Sequence, residues 1–152
     1  MKTLIRNMVH YLGNILRFFH MSFLRASGAK IGDNTMISLG AKIDVRRGKI
    51  TIGHHCLITH GCYILSHDGA AHVLNPEDNG SGYVNIGDHV FIGVNTVVMR
   101  NVTIGNHAVI GAGSVVNKNI PEGAVAAGNP VKIIKQLEKP YSSLPKVHKK
   151  ID

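Results

Sequence analysis

Isoleucine or valine recurs every six residues through most of this chain, a spacing that few folds accept. Ile31, Ile37 and Ile43 form one run, and Ile52, Ile58 and Ile64 a second. Ile86, Ile92 and Val98 form a third, and Ile104, Ile110 and Val116 a fourth. Four places after each aliphatic residue stands a small or medium one: Thr35, Ala41, Cys56, Cys62, Val90, Thr96, Val102, Ala108 and Ser114. Arg47 and Asp68 break this rule, and both lie beside insertions. Such a period is neither helical nor that of a simple alternating strand. It predicts a short strand, a turn and another short strand. Three units close one triangular coil, and coils stack into a prism with the aliphatic residues inward. Gly and Asn supply the turns.

The length of 152 residues suits one domain. With no Trp and 5% aromatics, the core has to be aliphatic. The expected fold is all-β, a prism of about four to five coils over residues 29–127. A helix over 1–28 precedes it, and a short basic helix and tail over 128–152 follow. The phase slips twice. Three residues are extra around Arg46-Arg47-Gly48-Lys49, and residues 68–84 form an inserted loop. Long loops in compact repeats are usually functional. The regular wall stops at His67-Asp68, so the His67 side chain is expected to leave the wall and face a cleft.

Residues 2–24 carry apolar residues at Ile5, Met8, Leu12, Ile15, Phe19 and Phe23, with Asn7, His10, Asn14 and Arg17 opposite. This is an amphipathic helix. Two roles stay open for it: capping the end of the prism, the favoured one, or lying on an anionic membrane surface. The net charge of +8 attracts anions in general. Its cations cluster at the termini without an aromatic platform, which argues against nucleic acid. Cys56 and Cys62 are not a CxxC pair. They read as small buried residues and suit a reducing cytoplasm. No run of about eighteen apolar residues suggests a transmembrane span, and no signal-peptide pattern opens the chain. The expected location is cytoplasmic, with peripheral contact at the inner membrane surface kept open. His55, His89 and His107 share one repeat phase and should stack as a ladder on an exposed corner, with Asn34 below.

The stretch "VNIGDHVFIGVNTVVMRNVTIGNHAVIGAGSVVNKNIPEGAVAAGNPVKII" resembles the hexapeptide-repeat acyltransferases. Its ending is similar to that of the maltose, galactoside and xenobiotic O-acetyltransferases. The short form with an N-terminal helix looks more like the acetyltransferases of capsule and lipopolysaccharide assembly. The resemblance implies a left-handed parallel β-helix, acetyl-CoA as co-substrate and no metal. It also implies a homotrimer with active sites between subunits, and a sugar-type hydroxyl acceptor. By the same resemblance, His67 holds the place of the catalytic base, and Phe91 that of an aromatic lining the acyl channel. Val94 offers a backbone amide near the thioester. Ala112 and Gly113 let the pantetheine arm lie on the backbone. Asn117 and Lys118 border the co-substrate, and Lys132 and Lys135 stand where cations meet its phosphates.

Acetyl transfer to a hydroxyl needs a base, an oxyanion donor and two substrates held together, and imidazole, a backbone N–H and a groove suit these roles. Asp68, His72 and Tyr83 are candidates for acceptor contact, and Asp44 or Asp68 for orienting an imidazole. Two other functions fit parts of the pattern. A γ-type carbonic anhydrase would use His55 and His60 among its zinc ligands, and a non-catalytic scaffold would bind partners through its helix and basic tail.

Overall fold

A computed structural model describes residues 2–137. The chain opens with α1 (Lys2–Ala26), and the first coil follows as β1 (Lys30–Ile31), β2 (Met36–Ile37) and β3 (Lys42–Asp44). The second coil is β4 (Lys49–Ile52), β5 (Leu57–Ile58) and β6 (Tyr63–Leu65), after which α2 (Gly69–Leu74) interrupts the wall. β7 (Tyr83–Ile86), β8 (Phe91–Ile92) and β9 (Val97–Val98) make the third coil. β10 (Val102–Ile104), β11 (Val109–Ile110) and β12 (Val115–Val116) make the fourth. β13 (Ala124–Ala127) and β14 (Lys132–Gln136) end the described chain.

The strands form three faces. The first runs β1-β4-β7-β10, the second β2-β5-β8-β11-β13-β14, and the third β3-β6-β9-β12. All neighbours are parallel except β13 and β14. The hexad explains this register, because one coil brings each aliphatic residue above its counterpart. Ile37 pairs with Ile58, Ile58 with Ile92, and Ile92 with Ile110. All four are fully buried. The small residues sit beside this stack. Cys56 and Cys62 are buried, their thiols donating to the Gly87 and Gly93 carbonyls at 3.0 and 3.2 Å. Burial pushes the Cys56 thiol above its ordinary value, which disfavours the nucleophilic thiolate.

The expected ladder is present. His55 and His89 stack with ring centroids 4.9 Å apart, and His89 and His107 at 4.8 Å. Asn34, His55, His89 and His107 all take left-handed backbone angles, φ 55 to 58°. Asn and His tolerate that region better than most side chains, so the corner selects residue types that can turn.

Three expectations need correction. Residues 132–136 are a strand rather than a helix. Gly128 (φ 103°) turns the chain back, and β14 then pairs antiparallel with β13, supplying partners to an open sheet edge. The tail from 138 lies outside the described residues. The insertion is shorter and more regular than a loop over 68–84. It contains α2, and Tyr83 and Val84 already belong to β7, with Val84 between Ile50 and Val102. The apolar stripe of α1 is also not its packed side. Met21 and Leu24 join the core beside the first coil, whereas Met8, Leu12, Phe19 and Phe23 are exposed.

Candidate active site

His67 follows β6 at the point where the third face ends. Ser66 points inward and is fully buried, its hydroxyl bonded to the Asp44 carbonyl and the Gly48 amide. Side chains alternate along an extended segment, so His67 points outward. The backbone here is tied across the neck of the insertion. His67 bridges Ser81, the Asp68 amide donates to the Gly80 carbonyl at 2.8 Å, and the Gly82 amide donates to Ser66 at 2.8 Å. Two glycines make room for this neck. A Cβ on Gly48 would lie 2.2 Å from the Ser66 carbonyl oxygen, and one on Gly80 would lie 2.3 Å from that of Asp68.

His67 Nδ1 is hydrogen-bonded to Asp44 Oδ2. Asp44 stands on β3, one coil below, in register with Leu65. Its other oxygen accepts from Arg46 Nε at 3.1 Å. Asp44 exposes only 9% of its side chain and His67 23%. Burial pushes the Asp44 carboxyl up, but the hydrogen bonds from Arg46 and His67 outweigh it and hold the group below its ordinary value. With Nδ1–H donating to this carboxylate, Nε2 keeps its lone pair for a substrate proton. Both side chains open into a cleft of about 540 Å³ that is also lined by Phe23, Lys42, Arg46, Tyr63 and Leu65. The Lys42 ammonium lies 5.0 Å from the centre of the Tyr63 ring.

The acceptor candidates are placed differently. Asp68 caps α2, its carboxylate accepting from the Ala70 amide at 2.9 Å, so Asp44 rather than Asp68 meets the imidazole. His72 lies exposed on α2, and Tyr83 projects from the first face beside Lys49.

The remaining candidates lie mostly on the second face. Phe91, Val109, Val125 and Lys135 occupy one row across it. At the usual strand spacing this row spans about 14 Å. Val94 follows Phe91 into the turn toward the third face, and its carbonyl accepts from the Gly113 amide at 2.8 Å. No acceptor takes the Val94 amide among the described residues. Ala112 and Gly113 are exposed beside it, Lys132 lies exposed on β14, and Asn117 and Lys118 follow β12. An apolar row ending at Lys135, with Lys132 on the same strand, suits a long, mostly apolar arm with an anionic end, the chemistry of a coenzyme A thioester. Within one chain this row and His67 do not meet. Val94 opens the turn that enters the third face, and His67 leaves that face at its far side.

Arg100, Lys42 and Arg46 escaped the sequence reading. Arg100 reaches from the turn after β9 to Asp78 of the insertion at 2.7 and 3.2 Å, and to the Ser81 carbonyl at 3.2 Å. A cation at a coil corner beside an inserted segment that carries acids was the available signal. Among the described residues of one chain no three His, Cys, Asp or Glu side chains converge on a metal position.

Three parallel faces stacked in hexads define the left-handed parallel β-helix of the hexapeptide transferases. Residues 83–118 match the family model described as bacterial transferase hexapeptide (six repeats). Protein CapG of Staphylococcus aureus is 45% identical over 92 residues, 59% of this chain and 54% of that protein. Putative acetyltransferase YvoF of Bacillus subtilis is 35% identical over 130 residues, 85% of this chain and 71% of that protein. The chain belongs to the hexapeptide-repeat acyltransferase family.

Among solved structures, the polysialic-acid-specific acetyltransferase NeuO superposes with a TM-score of 0.63 at 35% identity, covering 70% of this chain and 50% of that one. A hexapeptide-repeat acetyltransferase from Vibrio cholerae, complexed with acetyl coenzyme A, gives 0.64 at 31%, covering 74% and 62%. The chain thus spans about half the length of CapG and of the NeuO structure.

Proposed function

We propose that this protein transfers an acetyl group from acetyl-CoA to a hydroxyl of a sugar or polysaccharide precursor. The observation that carries the reading is the Asp44–His67 pair, held at the end of a coil and open to a cleft. Acetyltransferase relatives and the acetyl-CoA complex of a neighbour support the donor.

His67 Nε2 takes the hydroxyl proton as the acceptor oxygen forms its bond to the thioester carbonyl carbon. Asp44 steadies the imidazolium that results. The carbonyl electron pair moves onto oxygen, where the Val94 amide donates to it. Collapse breaks the C–S bond, and the proton on His67 goes to the departing thiolate. No acyl-enzyme forms, in keeping with the buried cysteines.

Because His67 and the Phe91–Lys135 row lie apart in one chain, one copy supplies His67 and its neighbour the thioester groove, as a side-by-side trimer allows. Lys42 and Arg46 at the cleft favour an acceptor that carries a carboxylate or phosphate, in line with the polysialic acid specificity of NeuO.

A thiol-release assay with acetyl-CoA tests this, using neutral and acidic sugars and comparing wild type with His67→Ala. Loss of about 10²–10⁴ in kcat with acetyl-CoA binding retained is expected. Equal turnover in both proteins would remove His67 from the chemistry. Light scattering that finds a monomer would remove the shared site.

A further inference from the structure

α1 carries an apolar arc that the prism does not use. Met8, Val9, Leu12, Leu16, Phe19 and Phe23 fall within ~100° of the helix circumference, and each is at least 51% exposed. The side that packs is the other one, through Met21 and Leu24. Residues 2–26 contain no Asp or Glu, and Arg6 is exposed ~60° beyond one edge of the arc, whereas Arg25 lies on the far side and donates to the Ile31 and Gly32 carbonyls. Contiguous exposed apolar surface of this kind marks an interaction site.

We propose that α1 docks the protein on an anionic lipid bilayer, lying in the plane of the interface. The apolar arc enters the acyl boundary, and Arg6 at its edge meets the headgroups. Charge selects this occupant. A second copy of α1 would offer no acid to pair with Arg6, whereas an anionic surface complements both the acid-free helix and the net charge of +8. No described helix is long and apolar enough to cross a membrane, so the contact is with the surface. Phe23 belongs to the arc and also lines the cleft of His67. The bilayer plane therefore passes beside that cleft, and an acceptor carried on a lipid would meet His67 at the surface. Only this last statement rests on the proposed acetyl transfer.

Flotation of the full-length protein with phosphatidylcholine vesicles, with and without phosphatidylglycerol, tests the docking directly. The wild type should float with the anionic vesicles and release as salt is raised. Leu12→Glu/Phe19→Glu should lower the bound fraction about tenfold or more, with melting temperature and acetyl-CoA binding unchanged. Three results would overturn the proposal: no flotation of the wild type, equal flotation with neutral vesicles, or a smaller oligomer by light scattering for the double variant. The last would assign the arc to an interface between copies. Flotation reads no turnover, so its outcome is independent of the reading of His67.

Discussion

Arg100 holds Asp78 through both terminal guanidinium nitrogens, at 2.7 and 3.2 Å, and so fastens the insertion to the third coil. The same guanidinium reaches the Ser81 carbonyl, and Ser81 bridges His67. Arg100 is therefore a positioning residue for the candidate base. Arg100→Gln should lower kcat by about tenfold with little change in the KM for acetyl-CoA, since small displacements of a reacting group are costly. Arg100→Lys should fail to restore it, because an ammonium cannot form the planar fork. Steady-state kinetics on the two variants check both statements.

Asp44→Asn should keep the hydrogen-bonding shape but remove the charge that orients and stabilises the imidazolium. The expected loss in kcat is about 10–10²-fold, smaller than that of His67→Ala.

The Asp44 carboxyl titrates below its ordinary 3.8 in the folded protein. Its contribution to stability is complete above the unfolded value and is lost as pH falls through the lower folded one. Carboxyl-carbon NMR should place the wild-type midpoint below 3.8. In Arg46→Ala/His67→Ala burial is opposed only by the backbone hydrogen bond from residue 46, so the midpoint should rise. A midpoint unmoved by the double substitution would contradict the assigned cause.

Ile92 lies in the middle of the second-face stack, fully buried between Ile58 and Ile110. Ile92→Ala should cost about 2–5 kcal/mol, measured by chemical denaturation. Ile133→Ala, on the exposed side of β14, should cost far less.

Lys132→Glu/Lys135→Glu should raise the KM for acetyl-CoA, and the wild-type KM should itself rise with salt, since exposed ammonium–phosphate contacts are screened. Titration at two ionic strengths checks this.

The prism was legible in the sequence because every wall residue meets the same surroundings one coil later, so periodicity carries the tertiary contacts. The histidine ladder follows from the same rule. His67 stood out because the wall fails after it, and the likeness to known transferases supplied its role. Its partner was not decided: Asp44 and Asp68 are equally plausible by position, and only the stacking register and the capping of α2 separate them. β14 was misread because Val-Lys-Ile-Ile-Lys has no strand alternation of its own. The open edge of β13 made it a strand. α1 was legible as a helix from local spacing, but which side packs depends on contacts far along the chain, and Met21 and Leu24 prevailed.

β14 runs against every other strand of the second face. A stack of identical turns has no inherent final member, since each added coil offers the next the same edge. The reversal at Gly128 supplies that final member by presenting a strand of the wrong direction to continue the series. On the second face the stack is thus ended by a strand reversal rather than by the core. Deleting the signal would leave the β13 edge open to pairing with a strand of another chain.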